Sequence, residues 1–493
     1  MNKDYIFMQQ KEGIHLIPNA YIIAQSYSEH MKDSLGLSFG ITLVQYVDGI
    51  MYWYASEARV NKVNKQTLLL VKKDKNFLDN IIKKYNQKML HLNKFAFSIY
   101  KTNLSKKTNQ ELWQVFSKYF TLYTAAYPWS EPVVLGLEES LGSYLKKYLS
   151  KKIFNPEELT ATYSILSAPQ KKSFAKEEED DLLNIALKIK NKKIKDQTEA
   201  IKIHTKKYSW VPYDYGLDLW DEKYFFVILD RILKQGDMKN RLLTSKKYSK
   251  ELRKQQTNLE KKHKVDRTHK NLFNNLRLAS YLQDYKKEKF TLVHYHIIGL
   301  LEEISKRLNT RRELIQYHLP EELKSALLNN VLTREDVLKD RSKNSLFVFN
   351  KNKVEMFLGV KANKILVGHK KEIKNKKSLL LGVTASAGSY TGRVRIIREA
   401  NEIKNIKKGE VLITTMTSPE YVPAMRLAGA IVTDQGGIMC HAAILSRELG
   451  VPCIVGTGSA TKFFQTGDIV EVNANQNFIK IKNLMKPFLV SKH

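Results

Sequence analysis

The chain has 493 residues, a length that predicts two to four domains of roughly 100–200 residues each. Its 43% hydrophobic and 27% charged residues are typical of globular proteins and exclude a chain disordered by composition. The formal net charge of +32 comes from 66 Lys and only 16 Arg. Because Arg, not Lys, recognises phosphate and guanine with two parallel hydrogen bonds, we interpret the charge as lysine-rich surface, not as a nucleic-acid-binding groove.

Simple features exclude further classes of protein. The longest apolar run, FTLVHYHIIGLL from Phe290 to Leu301, contains two histidines and is shorter than the roughly 20 residues of a membrane-spanning helix. The N-terminal residues contain no apolar signal sequence. Cys440 and Cys453 are the only cysteines, too few for a disulfide scaffold or a cysteine-rich zinc site. We expect a cytoplasmic protein with no membrane association and no metal site.

The first part of the chain begins with β structure and continues as helices. The β-prone runs GITLVQYV and IMYWYAS flank Asp48-Gly49, a pair that favours a type I′ turn, so a β hairpin is predicted. From Phe77 onward, apolar residues recur at spacings of three and four, which predicts amphipathic helices. LFVFNKNKVEMFLG (346–359) predicts a second hairpin. Further helices are predicted over 133–150, 176–205, 221–235, 246–284 and 290–307.

One segment interrupts the helical pattern. The sequence YSWVPYDYGLDLW, from Tyr208 to Trp220, places five aromatic residues around a proline and a glycine. Such a loop either fills the space between helices or lines a binding pocket, and both interpretations stay open. If it lines a pocket, the residues that contact a small-molecule acceptor are Trp210, Tyr213, Tyr215 and Trp220.

Composition changes near residue 381. Residues 381–480 contain 11 of the 22 glycines and have a net charge of +2, whereas residues 1–380 have a net charge of +27. Short β-rich runs and Gly-containing turns replace the helical pattern at this point. We therefore predict a multidomain protein: a mostly α region over 1–369 with small β hairpins, a linker over 370–380, an α/β domain over 381–483 and a tail over 484–493.

His441 is the candidate reactive residue of the α/β domain. It follows Gly436 and Gly437 and precedes AAILSRELG, which predicts a helix that ends at Gly450. The glycines let the backbone approach a ligand closely, and the amides and dipole of a helix N-terminus favour an anion and disfavour imidazolium. A neutral histidine beside bound phosphate is suited to forming phosphohistidine. On the local pattern alone, a histidine that packs or caps the helix is an equal alternative.

The wider sequence resembles a known family. Residues 381–480 contain, in order, ASAGSYTGRVRII, TSPEYVPAMRLAGAIVTD and GGIMCHAAILSRELGVPCIVG. These runs closely resemble the mobile phosphohistidine, or swivelling, domain shared by phosphoenolpyruvate synthase, pyruvate phosphate dikinase and rifampin phosphotransferase. The resemblance implies a β/β/α fold in which His441 takes a phosphoryl or pyrophosphoryl group from ATP and passes it on. Where the synthases often have Thr-x-Arg-Gly-Gly, this chain has Gln435 in the Arg position.

Other residues near these motifs are candidates for phosphate contacts. The candidate phosphate-binding residues are Gly436, Gly437, Arg447, Thr457 and Ser459. Thr457, Ser459 and Thr461 are equally well explained as turn residues, and Arg447 as one partner of an ion pair on the helix surface. Three basic residues on a long predicted helix are candidates to balance transferred charge, with ordinary solvated positions as the alternative: Arg277, Lys286 and Lys287.

The order of domains resembles the later two thirds of rifampin phosphotransferase, a family in which a helical middle domain binds the phosphoryl acceptor. No Walker A pattern and no recognisable ATP-grasp sequence occur in residues 1–370, and no barrel sequence follows the α/β domain. The resemblance implies a phosphotransferase component that needs a separately encoded ATP-grasp partner. That partner would bind ATP and Mg²⁺, which this chain alone would not. The alternatives are a non-catalytic binding or regulatory protein and, with less support, a basic nucleic-acid-binding protein.

Overall fold

The structure is a computed structural model that describes residues 5–11, 15–213, 219–366, 379–398, 400–418 and 421–483. The described residues form two compact units. The first unit consists of those within Met1–Ser140, Trp210–Leu219 and Tyr285–Lys371, and the second of those within Leu141–Ser209, Trp220–Asp284 and Glu372–His493.

Helices make up most of the described residues before residue 367, and three more α-helices lie among those after it. In chain order they are α1 (Tyr21–Gln25), α2 (Lys32–Leu35), α3 (Glu57–Lys73), α4 (Phe77–Tyr100), α5 (Asn109–Ala126), α6 (Glu131–Ser150), α7 (Pro156–Ser167), α8 (Phe174–Lys190), α9 (Gln197–Tyr208), α10 (Glu222–Gln235), α11 (Met238–Lys262), α12 (Arg267–His296), α13 (Ile298–Arg307), α14 (Arg312–Ile315), α15 (Pro320–Asn329), α16 (Glu335–Lys343), α17 (Gly359–Leu366), α18 (Val422–Leu427), α19 (His441–Leu449) and α20 (Ala460–Phe463).

The predicted helices are confirmed in kind, and three of them are divided. The pattern over 290–307 belongs to α12 and α13, which are separated at Ile297. The pattern over 246–284 belongs to α11 and α12, which are separated at a turn where Lys264 has a φ of +46°. The pattern over 176–205 belongs to α8 and α9. Asp196 starts α9 because its carboxylate accepts hydrogen bonds from the amides of Thr198 and Glu199. Apolar periodicity continues across such breaks, so it did not reveal them.

The first unit contains a five-stranded antiparallel sheet in the order β1–β3–β2–β4–β5. The strands are β1 (Tyr5–Lys11), β2 (Thr42–Val47), β3 (Ile50–Ser56), β4 (Asn344–Asn350) and β5 (Lys353–Leu358). Both predicted hairpins are confirmed, and Asp48 and Gly49 have the positive φ angles of 49° and 79° that a type I′ turn requires. The pairing of β2 with β4 joins two hairpins that lie about 300 residues apart in the chain.

The second unit contains an eight-stranded sheet in the order β6–β13–β12–β8–β9–β10–β11–β7. The strands are β6 (Leu379–Leu381), β7 (Val383–Ser386), β8 (Ser389–Ile396), β9 (Val411–Thr414), β10 (Ala430–Thr433), β11 (Cys453–Val455), β12 (Ile469–Asn473) and β13 (Phe478–Asn483). β8, β9, β10 and β11 are parallel to one another, and the other pairings are antiparallel. The predicted α/β character of this part is confirmed.

Both faces of this sheet are covered by apolar side chains. Neighbouring residues of a strand point to opposite faces, and Leu412 and Ile431 belong to one buried cluster whereas Ile413 and Val432 belong to another. The first cluster contains residues of α18 and α19, and the second contains residues of α20, β12 and β13. A parallel sheet buried on both faces is the expected arrangement when its strands are nearly continuous apolar runs.

We call residues 379–483 the sheet segment and residues 141–209 with 220–284 the helical segment; both belong to the second unit. Ala175 of α8 lies in the apolar cluster of α18 and α19. The Gln476 side chain of the sheet segment donates a hydrogen bond to Glu157 of α7 at 3.0 Å. The compact units therefore divide the chain differently from the predicted 1–369 and 381–483 domains. Composition marks where secondary structure changes, whereas packing decides which helices share a unit with the sheet.

Candidate functional site

Three loops meet at one edge of the eight-stranded sheet. Thr417 follows β9, residues 434–441 follow β10, and residues 456–461 follow β11. Because the carboxyl ends of parallel strands lie at the same edge, these loops are neighbours, and such edges are the usual ligand-binding position in α/β sheets. The amide of Thr457 donates to the carbonyl of Thr433 at 3.1 Å, which ties the second and third loops together.

His441 is the first residue of α19 and is only 4% exposed. Its Nδ1 atom lies 3.0 Å from the hydroxyl oxygen of Thr417, which is itself buried. Cys440 is the N-cap, and its amide donates to the carbonyl of Gly437 in the turn before the helix. The histidine predicted from the sequence is therefore held at a helix N-terminus by a residue from a neighbouring loop.

Two glycines are required where the loops touch. Gly436 has a φ of +109°, and a Cβ atom there would lie 2.8 Å from the sulfur of Cys440. Gly456 has a φ of +67°, and its Cβ would lie 2.8 Å from the carbonyl oxygen of Gly436. A side chain at Gly436 would collide with Cys440 in the same loop, and a side chain at Gly456 would push the two loops apart. The glycines therefore set the shape of the backbone beside His441.

The candidate hydroxyl residues contact the protein itself. The hydroxyl of Thr457 donates to the carbonyl of Thr433 at 3.0 Å, and Asp434 accepts hydrogen bonds from the amide and the hydroxyl of Thr461. Ser459 is the N-cap residue of α20. Asp434 thus connects the loops after β10 and β11 and gives these threonines roles in the turn. Phosphate contacts by Gly436, Gly437, Thr457 and Ser459 stay predictions.

Sequence analysis missed Thr417 and Asp434 as individual residues. Both lie inside the runs quoted for the family resemblance, and each follows a buried parallel strand. That position, just beyond the carboxyl end of a strand, was the available signal. What the sequence did not reveal is that the loop after β9 reaches the ring of His441.

Arg447 does not form the helix-surface ion pair considered from the sequence. Its Nε and Nη1 atoms are buried and make no hydrogen bond within the described residues. Burial lowers the pKa of its guanidinium, and the groups that interact with it electrostatically are Tyr163, Tyr248, Cys440 and Cys453. An Arg in this setting remains charged, because its ordinary pKa is above 12.

Two carboxylates, one half-buried and one buried, lie where the sheet segment contacts the helical segment. Glu448 accepts hydrogen bonds from the amide and hydroxyl of Ser173 at 2.9 and 2.7 Å, and burial raises its pKa to about 7. Glu179 is 2% exposed. Burial alone would raise the pKa of Glu179, but ion pairs with Arg426, Lys176 and Arg241 outweigh this effect and hold it at about 2.

The four aromatic residues proposed for an acceptor pocket fall into different parts of the structure. Trp210 and Tyr213 belong to the first unit, where the Tyr213 hydroxyl accepts a hydrogen bond from Arg312 at 3.3 Å. Tyr215 lies outside the described residues. Trp220 belongs to the second unit, stacks on Tyr224 with ring centres 4.6 Å apart, and lines a cavity of about 560 Å³.

Two of the basic candidates on α12 have carboxylate partners. Arg277 donates to the carbonyl of Leu166 at 2.7 Å and to Glu260 at 2.9 Å. Lys286 forms a buried ion pair with Glu131 at 3.0 Å. Lys287 is half-buried. The charges of Arg277 and Lys286 are thus already compensated within the protein, and their proposed role toward transferred phosphate stays untested.

Metal sites and membrane spans were also sought among the described residues. No group of three or more His, Cys, Asp or Glu side chains there is arranged to hold a metal ion. None of the described helices combines the length and the apolar character needed to cross a bilayer.

Comparison with known proteins finds similarity in the part of the chain that contains this site. Residues 406–477 match the model of the PEP-utilising enzyme, mobile domain. The chain is similar to the phosphoenolpyruvate synthase of Pyrococcus furiosus, with 48% identity over 118 residues that cover 23% of this chain and 14% of the relative. It is also similar to a probable phosphoenolpyruvate synthase of Methanothermobacter thermautotrophicus, with 48% identity over 108 residues, 22% of this chain and 16% of the relative.

A third relative, the uncharacterized phosphotransferase YvkC of Bacillus subtilis, is 35% identical over 180 residues, 34% of this chain and 21% of the relative. The similarity to these three relatives therefore spans 14–21% of their own lengths.

Proposed function

We propose, from the premise that the C-terminal part of this chain is a mobile domain of the PEP-utilising enzyme family, that His441 carries a phosphoryl or pyrophosphoryl group from a donor to an acceptor. The observation that supports the proposal most directly is the position of the imidazole. It lies at the N-terminus of α19, at the carboxyl edge of parallel strands, with one ring nitrogen held by Thr417.

We propose different roles for the two ring nitrogens of His441, because it is Nδ1 that contacts Thr417. We assign the proton to Nδ1, which then donates to the Thr417 oxygen, so Nε2 has the lone pair. In the first step Nε2 attacks a phosphorus atom of ATP; the N–P bond forms as the P–O bond to the leaving nucleotide breaks. In the second step an acceptor oxygen attacks that phosphorus, the N–P bond breaks, and the acceptor's proton passes to a base or to water.

The N-terminus of α19 supports this chemistry. The first turn of a helix presents backbone N–H groups and the positive end of the helix dipole, and both favour a phosphoryl group over water. Gly436 lets the preceding turn approach closely without a Cβ atom in the way. In this proposal the electrostatic stabilisation comes from the backbone and the covalent step from His441.

We propose that the sheet segment moves during transfer. His441 is 4% exposed and its Nε2 atom is buried, so a nucleotide held on a second protein does not reach it in this arrangement. Transfer needs reacting atoms about 3–3.5 Å apart at both the donor and the acceptor, so one histidine must visit two places. We propose that an ATP-grasp protein supplies the ATP and Mg²⁺ and that a small-molecule acceptor binds in the helical part of the chain. Residues 370–378 of the predicted linker, where we place the hinge for this motion, lie outside the described residues, and its last two residues belong to β6.

The test is labelling of the purified full chain. We expect that Mg-ATP and an ATP-grasp protein will place acid-labile, base-stable phosphate on His441, located by mass spectrometry. Retention of both the β- and the γ-label would indicate a pyrophosphoryl group, and retention of the γ-label alone a phosphoryl group taken from the end of ATP. Retention of the β-label alone would indicate a phosphoryl group left after loss of the terminal phosphate.

His91→Ala is the matched control, because His91 is exposed and belongs to the first unit. It should label like the wild type, whereas His441→Ala should not label at all. Label that persists in His441→Ala would contradict the assignment. Tight binding of Mg-ATP to the chain alone, measured by calorimetry, would contradict the need for a separate nucleotide-binding protein.

A further inference from the structure

Arg447 differs from Arg277 and Arg426 of the second unit, which have carboxylate partners. Arg277 donates to Glu260 at 2.9 Å, and Arg426 forms an ion pair with Glu179 at 3.0 Å. Arg447 has no ion pair within the described residues, and its Nε and Nη1 atoms are buried without a hydrogen-bond partner there. A buried guanidinium without an anion is costly, because both its charge and its N–H groups have lost water.

The groups around Arg447 do not supply the missing negative charge. It interacts electrostatically with two tyrosines and two cysteines, Tyr163, Tyr248, Cys440 and Cys453. Burial raises the pKa values of Tyr248 and Cys453 well above their usual range, so both are neutral at physiological pH. The neighbouring Glu448 is hydrogen-bonded to Ser173 and makes no ion pair with Arg447.

Arg447 lines a cavity of about 640 Å³ within the second unit. The helical segment contributes residues of α7 and α11, among them Ser164 and Tyr248, and the sheet segment contributes Ser386, Arg447 and Glu448. Small-molecule sites in proteins have volumes of roughly 300–1,000 Å³ and combine apolar walls with a few placed polar groups. This cavity has the size, the polar groups and an uncompensated cation.

We propose that this cavity binds a small molecule through an anionic group, a carboxylate or a phosphoryl group, that pairs with the guanidinium of Arg447. Because the cavity is lined by both segments, the bound molecule holds the sheet segment against α7 and α11. A ligand that binds only this arrangement stabilises it by mass action.

This site is separate from the reacting nitrogen. Arg447 lies six residues after His441 on α19, which at 1.5 Å per residue places their Cα atoms about 9 Å apart along the helix axis. His441 is not among the residues that line the cavity, so the anion site and the ring that carries phosphate are different places. The proposal stands on the cavity and the guanidinium, and it does not depend on phosphoryl transfer by His441.

The experiment compares inorganic phosphate, sodium acetate and sodium chloride at matched ionic strength, with the purified full chain. We expect phosphate or acetate to raise the thermal unfolding temperature beyond the chloride effect and to slow hydrogen exchange in α7, α11 and the end of α19. Which of the two anions acts identifies the chemical group. A response equal to that of chloride would overturn the proposal, as would slowed exchange only in other regions.

Arg447→Met removes the charge and keeps most of the length of the side chain. In the absence of added anions we expect this variant to be at least as stable as the wild type. We expect it to bind the active anion at least roughly tenfold more weakly. Arg393→Met, at an exposed position of the same segment, is the matched control and should respond like the wild type. An undiminished response in Arg447→Met would overturn the proposal. If that variant does not fold, the test is the wild type alone: anion-dependent slowing of hydrogen exchange must occur in α7, α11 and the end of α19.

Discussion

The contacts inside the sheet segment differ in kind from the contacts between the sheet segment and the helical segment. Inside the sheet segment, apolar clusters cover both faces of the sheet, and Ala175 of α8 joins one of them. Between the segments, the polar contacts are specific: Glu179 forms an ion pair with Arg426, and Glu448 accepts hydrogen bonds from Ser173. Apolar burial is worth about 25 cal/mol per Å² and has no direction, whereas each ion pair depends on its geometry.

This difference indicates which contacts can be broken without unfolding. The sheet segment retains its own core when it separates, because that core lies on its two faces. A buried charge that separates from its partner becomes hydrated, which returns much of the cost of breaking the pair. The arrangement therefore fits a rigid body that docks by polar contacts, as the proposed transfer of phosphate requires. Four predictions test this contrast, beginning with the largest expected effect.

Glu179→Gln should weaken the contact between the segments most. The substitution leaves Arg426, Arg241 and Lys176 without their shared carboxylate, and such a loss costs about 3–5 kcal/mol. Hydrogen exchange should accelerate in α8 and α18, while the amides of β9 and β10 stay protected. Glu177→Gln is the control, because Glu177 is exposed and lies two residues before Glu179 on the same helix. It should leave hydrogen exchange unchanged. Equal acceleration in β9 and β10 would show that the two segments unfold together.

Leu412→Ala should do the opposite and weaken the sheet segment itself. Leu412 is completely buried in the cluster that contains α18 and α19, and its truncation leaves a cavity that costs about 3 kcal/mol. Pulse proteolysis in urea measures the loss. Val383→Ala is the control, because Val383 is 42% exposed and should lose less than about 1 kcal/mol. Similar losses in the two variants would be inconsistent with an apolar core on this face.

Glu448 should make stability depend on pH near neutrality. Its pKa rises from an ordinary 4.5 to about 7 in the folded protein, so between these values the folded state binds more protons than the unfolded state. The contribution of Glu448 to the free energy of unfolding is therefore highest below pH 4.5 and falls as pH rises to 7. Above pH 7 it is lower than below pH 4.5 by at most about 3 kcal/mol.

The measurement is urea unfolding of the wild type and Glu448→Gln at pH 5 and pH 8. The amide does not titrate, so the wild type should lose more stability than the variant between the two values. Equal losses would show that Glu448 has an ordinary pKa in the folded protein.

Thr417→Val should have the smallest effect on stability. It removes one buried hydrogen bond, to Nδ1 of His441, at a cost of about 1 kcal/mol. Labelling of His441 should slow by more than this loss of stability explains, because the ring and its proton are no longer fixed. Thr415→Val, in the same loop, is the control. Unchanged labelling of Thr417→Val would remove the proposed role of Thr417.

The sequence predicted best those features that depend on neighbouring residues in the chain. The turn at Asp48-Gly49, the helix that ends at Gly450 and the strands around His441 follow from local preferences, and the structure has all of them. His441 itself was found because its motif is continuous in the chain. The turn that divides α11 from α12 was missed, because one apolar face runs through both helices.

Tertiary structure alone decided everything that joins distant segments. The pairing of β2 with β4, the ion pair of Glu179 with Arg426, and the hydrogen bond of Thr417 with His441 each connect residues that no local pattern relates. The isolation of Arg447 is of the same kind: the sequence placed it on a helix and allowed a surface ion pair, but packing against α7 and α11 buried it without one. Local preferences depend on neighbours in the chain, whereas burial and charge compensation depend on neighbours in space. For that reason the sequence determined the elements and the reactive histidine, and the folded arrangement determined its partners.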